Sequence, residues 1–160
     1  MEHGLAATAP AWAMAVERSA VGQALRTSLW LFPAVETLHI LGLALLVGAI
    51  ATFDLRVIRA GPGLDLARWE RAVLPVARAG FLLAVPMGLL LFTTEATAYA
   101  RNPAFQLKLL LILAALANIA LFHWVRHRAG MLTAGLRLAA ALSLALWLAV
   151  LACGRLIAYV

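Results

Sequence analysis

The chain has 160 residues, 65% of them hydrophobic and only 12% charged, with a mean hydropathy of +0.96. A soluble domain carries about 25% charged residues, so a soluble globular protein is excluded and a membrane protein expected. The formal net charge of +6 raises the question of nucleic acid, but the arginines flank apolar runs, as topology signals and lipid-headgroup contacts do; no nucleic-acid partner is expected.

The opening "MEHGLAATAPAWAM" lacks a basic stretch before its first apolar residues and is not read as a cleaved signal peptide. In residues 1–29, Trp12, Val16 and Ala20 recur at helical spacing among Glu17, Arg18, Gln23 and Arg26, which predicts a short amphipathic helix lying at the membrane interface. Crossing ~30 Å of hydrocarbon takes about 20 helical residues. Four runs are long enough, at about 31–53, 73–98, 104–125 and 137–158. "RAGPGLD" breaks the first pair. "RNP" makes a tight turn in which Pro103 opens the third helix, where a missing N–H does no harm. "RHRAGMLTAG" is the last loop. Short connections force antiparallel neighbours. The fold class expected is therefore all-α, an antiparallel four-helix transmembrane bundle in one domain, 1–160.

Arg56, Arg59, Arg68, Arg71, Arg78, Arg126, Arg128 and Arg137 fall on one side of the bundle, and few basic residues fall on the other. The positive-inside rule makes the first side cytoplasmic. Both termini then face the periplasm of a bacterial inner membrane.

Ionisable residues inside the runs are costly and mark function by default. Glu36 and His39 lie in the first run, Glu95 ends the second, Lys108 begins the third and Arg155 ends the fourth. Small residues let membrane helices approach, so the stripes Ala77, Ala84, Gly88 and Ala141, Ala145, Ala152 are expected to face inward, carrying Glu95 and Arg155 with them. The five residues then line a polar pocket in the outer half of the bundle. The competing reading is two ion pairs, Glu95–Lys108 and Glu36–Arg155, that tie helix ends together. A neutral imidazole ligates haem or metal, so His39 is the expected ligand. Met87 and Cys153 are soft candidates beside it, and His123 and His127, four apart at the arginine-rich boundary, are a secondary pair. His39 and His123 lie too far apart along the bundle to share one iron. Asn118, in mid-membrane, is expected to hydrogen-bond another helix. The single cysteine excludes an intrachain disulfide and a multi-thiolate site. There is no Walker loop, dinucleotide fingerprint, Gly-x-Ser-x-Gly or His-Glu-x-x-His, so no soluble-type catalytic site is expected.

"WLFPAVETLHILG", "DLR" at 54–56, "NPAFQLKLLLILAALAN" and "GRLIAY" resemble an uncharacterised family of small bacterial four-helix inner-membrane proteins. The stretch from Asn102 to Asn118 is also remotely similar to the membrane domain of copper-resistance D proteins, from which the chain departs in having half the helices and no Met- or His-rich outer segment. The copper likeness implies metal handling on the periplasmic side. The function expected is a binding protein whose outward pocket takes a metal or haem, with copper and haem b as the candidates, in redox or copper handling. The alternative is an accessory subunit, with no ligand of its own, packed in a larger membrane complex or a homo-oligomer.

Overall fold

The computed structural model describes residues 10–61, 64–129 and 132–159. Residues 1–9, and with them most of the segment weighed as a signal peptide, lie outside the described residues. There are seven helices among those described: α1 (Ala11–Glu17), α2 (Ala20–Thr27), α3 (Leu31–Ile58), α4 (Leu66–Phe92), α5 (Ala96–Arg101), α6 (Pro103–Ala129) and α7 (Ala134–Leu156). The four long ones, α3, α4, α6 and α7, are apolar and long enough to cross a membrane. The all-α four-helix bundle with a short helical N-terminal element is the fold observed.

Local chemistry sets the helix starts. Each helix leaves its first N–H groups without intrahelical partners, and a side-chain oxygen at the cap supplies one. Asp65 Oδ1 accepts from Arg68 N at 3.0 Å, Asn102 Oδ1 from Phe105 N at 3.0 Å and Thr133 Oγ1 from Leu136 N at 3.3 Å; α3 has Trp30 at its cap, with no such oxygen, and there Ser28 Oγ, two residues earlier, accepts from Leu31 N at 3.2 Å. At the other end of α3, Arg137 Nη2 donates to the Ala60 carbonyl at 2.8 Å, which ties the start of α7 to it.

The helices are longer than the expected spans at the arginine-rich end. α3 runs to Ile58 rather than 53, and α4 begins at Leu66 rather than 73. α4 also stops earlier than expected, at Phe92. There Thr93 and Thr94 turn their hydroxyls back onto the Leu90 and Leu91 carbonyls, both at 2.7 Å, and Glu95 leaves helical geometry at φ −143°, ψ 47°. A separate short helix, α5, then leads to α6.

α3 packs against α4 on one side and α7 on the other, and α6 packs against α7. The spatial order is α4, α3, α7, α6. The α3–α4 crossing brings backbones together: a Cβ on Gly80 would lie 2.4 Å from Leu46 N and 2.7 Å from Gly42 O, and one on Gly42 would lie 2.6 Å from Ala84 N. Small residues are what allow that approach. α4 and α6 are not packed side by side; the Glu70–Arg126 ion pair is the bridge between them near the arginine-rich end.

α1 and α2 strap the opposite end. Glu17 Oε2 accepts from Thr97 N at 3.1 Å and Thr97 Oγ1 at 2.7 Å. Arg26 donates to the carbonyls of Thr94 and Glu17, both at 2.7 Å. Trp12 stacks on Phe92, which also stacks on Tyr99 and Phe105. The Thr97 hydroxyl bond holds the Glu17 carboxyl below its ordinary range. Exposed tryptophans mark both bundle ends: Trp30 at this one and Trp124, under the Arg128 guanidinium, at the other. That is the placement of interfacial aromatics around a bilayer.

Candidate functional site

The five residues expected to form one outer pocket are spread over different environments. Glu36, Glu95 and Arg155 are exposed, while His39 and Lys108 are half-buried. His39 Nδ1 donates to the Ala84 carbonyl at 2.8 Å, and its ring fills the notch left by Gly88. Lys108 lies over Gly154 of α7. Arg155 Nη2 donates to the Tyr159 hydroxyl at 2.7 Å. Among the described residues no ion pair joins Glu95 to Lys108 or Glu36 to Arg155.

Two physical causes separate them. The end of α4 at Phe92 takes Glu95 off the face it was expected to share with Gly88. The small-residue stripe on α7 is not its buried face: Ala141, Ala145 and Ala152 are exposed, whereas Ala139, Ala140, Ser143, Trp147, Val150 and Cys153 are buried. Hydrogen bonds orient this helix. Asn118 Nδ2 donates to Ala139 O at 2.9 Å, the inter-helix bond expected of it, and Ser143 faces the Asp54 carboxyl. A polar group turned toward lipid finds no partner there, so the side of α7 with Ser143 and Trp147 faces the protein and Ala141, Ala145 and Ala152 face out.

The metal donors do not assemble either. Among the described residues no three His, Cys, Asp or Glu side chains come close enough to hold a metal ion. His39 has its Nδ1 engaged, Met87 is half-buried, Cys153 is buried and free, and His123 and His127 are exposed. Of the His39 imidazole, Nε2 is left as a ligand. The described residues do not make a closed copper or haem site.

What the bundle does build lies elsewhere. Because α4 and α6 stand apart, a cavity of about 500 Å³ opens between them, its back formed by α3 and α7. Its walls are mainly apolar and aromatic, including Leu46, Phe53, Phe81, Leu82, Leu116 and Phe122. Arg78, His123 and the Glu70 carboxyl, paired with Arg126, stand around it at the arginine-rich end. Its floor carries Asp54 (4% exposed), Asn118 (5%), Ser143 (6%) and Trp147 (2%).

Three atoms of that floor have no hydrogen-bond partner: Asp54 Oδ2, Asn118 Oδ1 and Trp147 Nε1. They follow one another along the buried face of α7: Asn118 bonds to Ala139, Asp54 stands at Ser143, and Trp147 is one turn further on. Ala139 to Trp147 covers about two turns, roughly 12 Å. Leaving a buried donor or acceptor unsatisfied costs about 1–3 kcal/mol each. Three such groups from three helices, around one cavity, are the chemically loaded feature of the molecule.

No family model, curated protein or solved structure matches the chain.

Sequence reasoning singled out Asn118 but missed Asp54. Ending the first span at 53 placed Asp54 in the interface among arginines, where an acid calls for no explanation. The available signal was its position after "VGAIATF", one turn before Val57: Asp54 shares the helical face of Ile50 and Val57, which are buried. Trp147 and Ser143, four apart, carried the same face on α7. Asp54 follows His39 by fifteen positions, about 22 Å along α3, so the site sits toward the end of the bundle opposite to the one expected.

Proposed function

We propose that this integral membrane protein is a binding protein for a lipid-soluble small molecule, which enters from the bilayer between α4 and α6 and rests on the polar floor. The observation that carries the reading is the set of unpartnered atoms Asp54 Oδ2, Asn118 Oδ1 and Trp147 Nε1 in the cavity of about 500 Å³. Ligand pockets run from about 300 to 1,000 Å³, mostly apolar with a few placed polar groups; this cavity has that size and composition. A buried water satisfies two or three polar groups and takes about 30 Å³, so water alone answers the floor and leaves most of the apolar volume unfilled. The gap between α4 and α6, which meet at Phe92–Phe105 and at Glu70–Arg126, supports entry from the side. An accessory subunit would instead have that gap closed by a helix of a larger complex.

The test uses a variant in which Trp147 is the only tryptophan, reconstituted in lipid vesicles, and a brominated long-chain amphiphile as quencher. Trp147 is 2% exposed and lines the cavity, whereas Trp124 is 53% exposed. Saturable quenching of Trp147, reversed by the unbrominated amphiphile, is the expected result. A Trp124-only variant should show only the linear, non-competable quenching of a lipid-facing ring. The same linear behaviour at Trp147 would refute the reading.

A further inference from the structure

The floor and its surroundings narrow the chemistry of the occupant. Resting on the reading above, we infer that its head is a neutral hydroxyl, so that the ligand class is a lipid alcohol or phenol: an apolar body ending in one O–H.

Hydrogen-bond capacity excludes charged heads of either sign. A carboxylate only accepts, so it can answer Trp147 Nε1 but leaves Asn118 Oδ1 and the Asp54 carboxyl without a donor. An ammonium only donates, so it leaves Trp147 Nε1 bare, and it would enter the end of the bundle where residues 54–78 and 126–137 carry eight arginines against three acids. One of those acids, Glu70, is already paired with Arg126, and Arg78 and His123 stand at the cavity itself.

Hydrogen-bond roles then separate the neutral groups. Trp147 Nε1 only donates, and Asn118 Oδ1 only accepts because the same amide already gives Nδ2 to Ala139 O. Asp54 Oδ2 is a second acceptor when ionised. A ketone, ester or ether head accepts from Trp147 and leaves both oxygens bare. An alcohol or phenol accepts from Trp147 and donates to Asn118 or Asp54 through one atom. The hydroxyl thus leaves the fewest unpaired groups, and a group left unpaired in a site built to bond it is what gives large discrimination between ligands.

The experiment extends the Trp147-only assay with equal-chain competitors: a long-chain primary alcohol, its methyl ether, the corresponding methyl ketone, the fatty acid and the primary amine. The alcohol should displace the brominated alcohol probe at about tenfold lower membrane concentration than the ether or ketone, with acid and amine no better than the ether. Asn118→Leu should erase that preference while leaving displacement itself. Asp54→Asn serves as the second variant should Asn118→Leu fail to fold, and should shrink the preference. Equal displacement by all five compounds overturns the hydroxyl assignment while the cavity reading stands, as does preference for the acid or the amine. Displacement by none overturns both.

Discussion

Replacing Gly80 by alanine tests the packing that holds the cavity open. The new Cβ would stand 2.4 Å from Leu46 N and 2.7 Å from Gly42 O. Both are backbone atoms in the middle of α3, so no rotamer change relieves the contact. Ordinary van der Waals contact needs about 3.4 Å, hence α3 and α4 must move apart by roughly 1 Å at the crossing. Overpacking of that kind costs about 1–3 kcal/mol. Alanine also gains about 0.5–1 kcal/mol over glycine in helix propensity, and Gly48→Ala supplies the control, because a Cβ there meets nothing within 4 Å. The difference between the two variants isolates the steric term, and Gly80→Ala should be the less stable by about 1–3 kcal/mol. The assay is unfolding in mixed micelles titrated with a denaturing detergent, followed by circular dichroism. Since Ala77 and Phe81 on α4 line the cavity, the same variant should weaken probe binding. Equal stability of the two variants would show that α3 and α4 do not meet at backbone contact.

His39→Leu removes the bond to Ala84 O and should cost about 0.6 kcal/mol, the average for hydrogen bonds between membrane helices; an unchanged unfolding midpoint refutes the helix-tying role, and a Soret band or bound copper present in wild type but lost in this variant would return the imidazole to a ligand role. The Glu17 carboxyl is held below its ordinary value of 4.5, first by the Thr97 hydroxyl bond. A depressed carboxylate contributes stability above its unfolded value and loses it as pH falls through the folded one, so proteolysis near α1 should accelerate below about pH 4.5 and Glu17→Gln should flatten the profile; a pH-independent rate in wild type refutes this. If the arginine bias sets orientation, Gly61→Cys in a Cys153→Ala background should be shielded from a membrane-impermeant thiol reagent in intact cells, while Ala98→Cys should label. The reverse pattern would invert the orientation and place the Asp54 cavity toward the periplasmic side.

The bundle was legible from sequence because one term dominates it. Four apolar runs long enough to cross hydrocarbon leave helices as the way to satisfy their backbone groups, and breaks such as "RNP" act locally, through Pro103 and the Asn102 cap. Asn118 was legible for the same reason, since an amide at mid-membrane needs a partner and found Ala139 O.

Which face of each helix turns inward is a different kind of quantity. On α7 the stripe of Ala141, Ala145 and Ala152 and the stripe of Ala139, Ser143 and Trp147 compete for the interior, and periodicity alone allows both. The choice depends on partners supplied by other helices, Asn118 from α6 and Asp54 from α3, far away in the chain. Glu95 turned on two threonine hydroxyls that end α4 at Phe92. The cavity is further still from sequence, because it is a gap: it exists where α4 packs on α3 and α6 packs on α7 but α4 and α6 do not pack on each other. A sequence carries the propensity of each segment, whereas the space left between two helices that meet only near their ends is a property of the whole assembly, fixed by close approaches such as Gly80 of α4 against Leu46 of α3.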